Sequence, residues 1–278
     1  MTPDIFSLKS FHNVKVPLFV LAGPDVIEDS VRPGQTLAFA KRLKEIFGRL
    51  GIPFAFKASF DKANRTSVDG FRGPGLEQAA DLFRQIRQEV GVPILSDVHR
   101  FEEIPLAAEV LDILQIPAFL SRQTDFVAEV ARTGKIVNWK KGQFIAPKDV
   151  GHAVNKMTAA GNQRILLTER GYTFGYNNLV VDMRAFPIMS QFGYPVVIDA
   201  THSIQLPSGG GGKSAGERQY VGTMARAAIA AGAHGVFMET HEQPDIALCD
   251  GPNMIPMDEV EALGRQLKEI HRIVREGT

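Results

Sequence analysis

Apolar residues along this chain fall into two alternating kinds of run. Short runs rich in Val, Ile, Leu and Phe, without polar alternation, occupy 18–22, 54–57, 93–96, 113–116, 136–139, 165–168, 196–199 and 235–238. Unbroken apolar runs this short predict parallel strands buried on both faces. Between them lie longer, amphipathic stretches at 36–50, 75–90, 104–110, 126–133, 150–160, 183–191, 220–231 and 256–275. In the last, Val260, Leu263, Leu267, Ile270 and Val274 recur at three- and four-residue steps, one stripe of a helix. Eight strand–helix pairs predict an α/β fold, a (β/α)8 TIM barrel, with residues 1–278 forming a single domain. Segment 5–16 precedes the first strand. It is expected to form a short N-terminal β-hairpin that turns at His12–Asn13 and closes the barrel bottom.

A barrel carries its chemistry where the strands end. The residues arriving there are Asp25, Lys57, Asp97, Gln115, Lys140, Glu169 with Arg170, Asp199 with His202, and Glu239 with His241. Two subsets stand out. Lys57, Lys62, Arg65, Lys140 and Arg170 would repel one another at a shared mouth unless an anion neutralised them, so they point to phosphate or carboxylate. Pairing with Asp61, Asp97 and Glu169 is the competing explanation. The second subset, His202, Glu239 and Asp250 with Asp25, offers an imidazole and carboxylates to a divalent cation such as Mn²⁺, Fe²⁺ or Mg²⁺. Its spacing matches no local metal motif, and a hydrogen-bonded structural role for His202 competes with it.

Composition narrows the setting. Lysine plus arginine balance aspartate plus glutamate at 31 each, so no global field attracts nucleic acid or a membrane surface. The basic residues lack interleaved aromatics, which argues against a nucleic-acid partner. Cys249 is the one cysteine, so no intramolecular disulfide forms. The absence of a signal-like N-terminus and of a spanning apolar stretch makes a cytoplasmic location the expectation. Segment 207–216 holds four consecutive glycines and is expected to act as a mobile lid. Its Gly-Lys-Ser ending lacks the first glycine of a phosphate-binding P-loop, because Pro207 stands there. Cys249 has no evident activating base in sequence, and Trp139 is expected to pack.

Several segments together resemble one family. Phe56 to Ser67 reads FKASFDKANRTS. It is followed by FRGPGLE at 71–77, QIPAFL at 115–120, RQTD at 122–125, KKGQF at 140–144, ERG at 169–171, FGYNNLVVD at 174–182, DATHS at 199–203 and METH at 238–241. In order and over nearly the whole length, these resemble the 3-deoxy-D-manno-octulosonate 8-phosphate synthases. The resemblance implies a (β/α)8 barrel, commonly a homotetramer, that condenses phosphoenolpyruvate (PEP) with D-arabinose 5-phosphate for lipopolysaccharide synthesis. It implies that Lys57, Lys62, Lys140 and Arg170, with Gln115, Pro117, Ala118, Phe119 and Gln143, line the PEP site. Asn64, Arg65 and Thr66 would hold the pentose phosphate, and Arg122 would reach in from a neighbouring subunit. Lys57, Lys62, Asp97, Lys140, His202 and Asp25 are the candidate catalytic groups. The family usually has serine where Thr66 stands, and the hydroxyl is retained. The homologous barrel that joins PEP to erythrose 4-phosphate lacks the Ala-Asn insertion of Lys62-Ala63-Asn64-Arg65, which disfavours that alternative. A catalytically inactive phosphosugar-binding barrel is the non-enzyme alternative.

One position departs from the family. Metal-dependent members resemble Ala-Gly-Pro-Cys after the first strand, metal-independent members have asparagine there, and this chain reads Ala22-Gly23-Pro24-Asp25. Two readings follow. Asp25 replaces a soft thiolate and, with His202, Glu239 and Asp250, shifts preference from zinc or iron toward manganese or magnesium. Otherwise the metal is absent, Asp25, Glu239 and Asp250 crowd together, and at least one has a raised pKa.

Overall fold

The structure is a computed structural model and describes residues 5–64, 67–207 and 215–276. Eight parallel strands close into a barrel: β1 (Phe19–Gly23), β2 (Phe54–Lys57), β3 (Ile94–Asp97), β4 (Ile113–Ile116), β5 (Ile136–Lys140), β6 (Ile165–Glu169), β7 (Val196–Asp199) and β8 (Gly235–His241). Each pairs with the next, and β1 pairs with β8 from Phe19↔Gly235 to Gly23↔Glu239. Every strand residue is buried, as expected where helices cover the outside and side chains fill the inside.

The covering helices are α1 (Gln35–Leu50), α2 (Leu76–Glu89), α3 (Ile104–Val110), α4 (Thr124–Arg132), α5 (Val150–Ala159), α6 (Ala185–Ser190), α7 (Val221–Ala230) and α8 (Val260–Glu276). In α8, Val260, Leu263 and Leu267 of the predicted stripe are buried, and Ile270 packs against the same core. α1 stops at Gly51, whose φ of 62° lets its N–H reach the carbonyls of Gly48 and Phe47.

The expected N-terminal hairpin does not form. Segment 5–18 has one 3-10 turn, Ile5–Ser7, and no paired strand. It does turn at His12–Asn13 and lies across the barrel bottom. The Phe11 N–H donates to the Gln163 carbonyl at 2.8 Å, and the Asn13 N–H to the Gly193 carbonyl at 2.7 Å. Ile5, Phe6 and Phe11 are buried in the core. Burial of these three side chains, with backbone bonds to the loops before β6 and β7, replaces the strand ladder.

Two small antiparallel pairs sit above the opposite end. Tyr172–Thr173 pairs with Leu179–Val180 after β6, and Gln205–Leu206 pairs with Ala215–Gly216 after β7. The second pair fastens both ends of the glycine-rich segment. Residues 208–214 of the expected lid lie outside the described residues. At the end of β1, Gly23 has no room for a side chain, because a Cβ there would overlap the Lys57 carbonyl oxygen of β2. That close approach places Asp25 directly beside the β2 exit.

Candidate active site

The C-terminal ends of the strands surround one cavity of about 800 Å³. Lys57, Lys62, Asp97, Gln115, Pro117, Ala118, Phe119, Lys140, Gln143, Arg170, His202, Glu239 and Asp250 all line it, with Asn64 at its mouth. Asp25 is fully buried beneath them. Arg65 and Thr66 lie outside the described residues. Arg122 is exposed and lines no part of this cavity; its carbonyl accepts a bond from Lys156 at 3.0 Å.

The lysines are paired, but with carboxylates other than Asp61, Asp97 and Glu169, the partners of the competing explanation. Lys57 Nζ lies 2.8 Å from Glu239 Oε1 and donates to the Asp25 carbonyl at 2.6 Å. Lys62 pairs with Asp25 Oδ1, and Lys140 pairs with Asp199. Asp61 instead holds Arg72, with two contacts of 2.6 Å, and Glu169 holds Lys141 at 3.3 Å. Asp97 accepts from Ser59 Oγ at 3.1 Å and from Gln115. The deciding factor is barrel closure, which sets which exits face one another and is invisible in a linear reading.

Arg170 differs from the lysines. It is buried, and among the described residues no carboxylate lies within ion-pair distance of it. Its Nη2 donates to Gln205 Oε1 at 3.2 Å. Gln143 Oε1 is also buried and has no hydrogen-bond partner among the described residues. Burial pushes the Arg170 pKa down, partly offset by Asp199 and Asp250. A buried guanidinium without a counter-ion is costly, and a bound anion would remove that cost.

Lys140 is the most perturbed of the cavity lysines toward neutrality. Burial pushes it down to about 8 against the pull of Asp199. Its Nζ also sits 3.2 Å from the centre of the Phe237 ring. Burial opposes charge on Lys62 too, but Asp25 and other carboxylates outweigh it and hold Lys62 well above the ordinary lysine value.

The second subset comes together as well. Asp25, His202, Glu239 and Asp250 each present a ligand atom, all within 4.8 Å of one another. His202 Nδ1 is 2.8 Å from Asp199 Oδ2, which leaves Nε2 facing Glu239 at 3.8 Å and Asp250 at 3.7 Å. Asp25 Oδ2 and Glu239 Oε2 are buried without nitrogen or oxygen partners among the described residues. Burial, and then Asp25, raise the Glu239 pKa. Burial works against Asp25 as well, but Lys62 and Lys57 outweigh it and hold Asp25 low. Two orphaned carboxylate oxygens and an available imidazole nitrogen fit a divalent cation.

Some residues were misread or missed in the linear reading. His241 does not face the cavity. Beyond Glu239 the strand has passed its pairing with β1, and the His241 ring packs edge-on against Phe39 of α1 while Nδ1 accepts the Gln243 N–H at 2.9 Å. Glu169 turns to Lys141 and the Gly171 N–H. Cys249 proves to line the cavity beside Asp25. Burial and then Asp25 push its thiol well above the ordinary range, so it remains protonated. A polar chain inside the barrel was overlooked: Thr168 Oγ1 donates to Asn138 Oδ1, and Asn138 Nδ2 donates to Gln115 Oε1 at 2.7 Å. The signal for it was Asn138, the lone polar residue in the middle of an apolar strand run. Trp139 packs as expected, with its indole N–H on the Ser121 carbonyl at 3.1 Å.

The model of the DAHP synthetase I family matches residues 13–276. The chain belongs to that family. Among its curated relatives is a 2-dehydro-3-deoxyphosphooctonate aldolase of Geobacter metallireducens, 56% identical over 95% of this chain and 97% of the relative. Proteins of the same name from Trichlorobacter lovleyi and Geobacter sulfurreducens are 55% and 54% identical, each over 93% of this chain and 94% of theirs. The resemblance read from the motifs is thereby borne out. Among the described residues, no helix is long and apolar enough to cross a membrane.

Proposed function

We propose that this chain condenses PEP with D-arabinose 5-phosphate and water, giving 3-deoxy-D-manno-octulosonate 8-phosphate and inorganic phosphate. The names of its relatives support the reaction. The observation that carries it in this chain is Arg170, a buried cation with no carboxylate within ion-pair distance among the described residues, opening with Lys140, Lys62 and Gln143 onto one cavity. Lys140 and Arg170 bind the phosphate and carboxylate of PEP. Asn64, Arg65 and Thr66 hold the sugar phosphate. The methylene carbon of PEP bonds to the aldehyde carbon, and water adds to the carbon bearing the phosphate as positive charge develops there. Asp97, Asp199 and Glu239 line the same cavity and stabilise that charge. Holding both reactants in one enclosed space supplies much of the acceleration.

Asp25, His202, Glu239 and Asp250 are the residues that would hold a divalent cation, manganese or magnesium suiting three carboxylates and one imidazole better than zinc. Such a cation would act as a Lewis acid toward an oxygen of a bound reactant. A second, metal-independent reading is favoured by one observation: Lys57 and Lys62 already neutralise Glu239 and Asp25. The deciding experiment follows PEP consumption with arabinose 5-phosphate after EDTA treatment, then with added Mn²⁺. We expect activity to be lost and restored. Activity that survives the chelator rejects the metal, and faster turnover with erythrose 4-phosphate rejects the substrate assignment.

The chain works as a single-domain subunit of a cytoplasmic homotetramer. Exposed Phe119 on the cavity wall, with exposed Phe144, Phe174 and Tyr176 on the segments that follow β5 and β6, supports assembly at this end of the barrel, as does the position of Arg122 outside its own cavity.

A further inference from the structure

Asp250 has a backbone φ of 47°, in the left-handed region that residues other than glycine seldom occupy. Such strain persists where the surroundings over-determine it. The loop after β8 is gripped from two sides. On one, Glu28 Oε1 accepts the Leu248 N–H at 2.8 Å, Glu28 pairs with Arg32, and Arg32 Nη2 donates to the Ile246 carbonyl at 2.7 Å. On the other, Arg218 Nη2 donates to the Gly251 carbonyl at 2.7 Å and pairs with Asp245 at 2.8 Å. Inside the loop, Gly251 lies so close to the Pro244 carbonyl that a Cβ would overlap it.

Glu28 is buried and belongs to the same β1–α1 loop as Asp25. It is therefore a tie between the loop that carries Asp25 and the loop that carries Asp250. We propose that Glu28 is a positioning residue for the condensation, holding the β8–α8 loop closed so that Asp250 faces Asp25 and His202 across the cavity floor. Glu28 touches no reactant; it acts through the Leu248 N–H and through Arg32. Its catalytic consequence rests on the function proposed above, whereas its hold on the loop does not.

The chain carries its own reporter. Cys249, the one cysteine, lies buried at the cavity wall within the tied loop, so the change in its reaction with a thiol reagent such as DTNB, compared between variants without PEP and across pH to separate thiol ionisation, reads loop opening. Labelling rate, thermal midpoint, and kcat and KM for PEP are measured for the wild type, Glu28→Ala and Glu28→Gln. Gln keeps an oxygen for the Leu248 N–H. In Glu28→Ala, labelling should accelerate about 10-fold or more and kcat should fall about 10-fold. The KM for PEP should stay within about threefold, because Lys140, Gln143 and Arg170 sit on other exits; Glu28→Gln should recover most of both losses. Arg32→Met, which frees the Ile246 carbonyl from the more exposed end of the pair, should show a smaller acceleration and stands in if Glu28→Ala does not fold. Unchanged labelling in the folded variants overturns the proposal, as does a kcat loss that only tracks the folded fraction. If the wild type shows no condensation, the proposed function fails while the labelling rates still decide the tie.

Discussion

Replacing Asp199 by asparagine tests the electrostatic argument about the anion site most directly. Asp199 accepts from the His202 N–H at 2.9 Å, and its other oxygen faces both His202 Nδ1 and Lys140 Nζ. With Asp199 present, burial leaves Lys140 at about 8. At pH 7.5 about three quarters of the molecules then carry the ammonium. An opposite charge in contact shifts a pKa by about 1–3 units, so losing it should take Lys140 to about 6. The charged fraction at pH 7.5 falls to about 3%, and apparent PEP affinity, which scales with that fraction, falls about 25-fold. At pH 5.5 both proteins carry the ammonium in most molecules. The variant should then bind PEP as tightly as the wild type or tighter, since a carboxylate facing the anion is gone. The assay is calorimetric titration of PEP from pH 5.5 to 9, with the variant-to-wild-type ratio taken at each pH so that the titration of PEP itself cancels. A ratio that does not change with pH refutes the reasoning, because a generally damaged cavity would lose affinity everywhere.

Two further outcomes follow from other parts of the molecule. His234 is half-buried with Nδ1 accepting the Val196 N–H at 3.1 Å, and desolvation, then Arg275 and His271, push its pKa from 6.5 down to about 3. Its neutral form is the folded form, so its contribution is complete above pH 6.5 and is lost as pH falls toward about 3, at about 1.4 kcal/mol per pH unit. His234→Gln should flatten the acid side of a urea-stability profile by that slope; equal slopes would contradict it. Light scattering should give about four times the 30.5 kDa chain mass, and a Phe174→Asp, Tyr176→Asp double variant should shift it downward, whereas a monomer in the wild type removes the tetramer.

All eight strands were legible because a strand covered on both faces needs an unbroken apolar run, a local property of the chain. Their ends were less so. β8 reaches His241 instead of stopping near 238, because Thr240 and His241 pair with Ile255 and Pro256, a partnership between segments far apart in sequence. The first segment failed as a hairpin for the same reason, since its backbone partners are Gln163 and Gly193. In the site, residue types at strand exits were readable and their convergence followed from the barrel. Which carboxylate meets which lysine was not readable. Asp61 lies closer in sequence to Lys62 than Asp25 does, yet β1 and β2 bring Asp25 to it while Asp61 turns to Arg72.

The pairing of Gln205–Leu206 with Ala215–Gly216 has a consequence for how this protein can change. The chain leaves and re-enters the barrel top at adjacent positions, Leu206 opposite Ala215, so the length between them is uncoupled from the positions of its ends. Gln205, which bonds both Arg170 and Asp250, stays in place whatever is spliced beyond it. Added chain length between Leu206 and Ala215 would therefore enter and leave at two paired positions, apart from the bonds that Gln205 makes to Arg170 and Asp250.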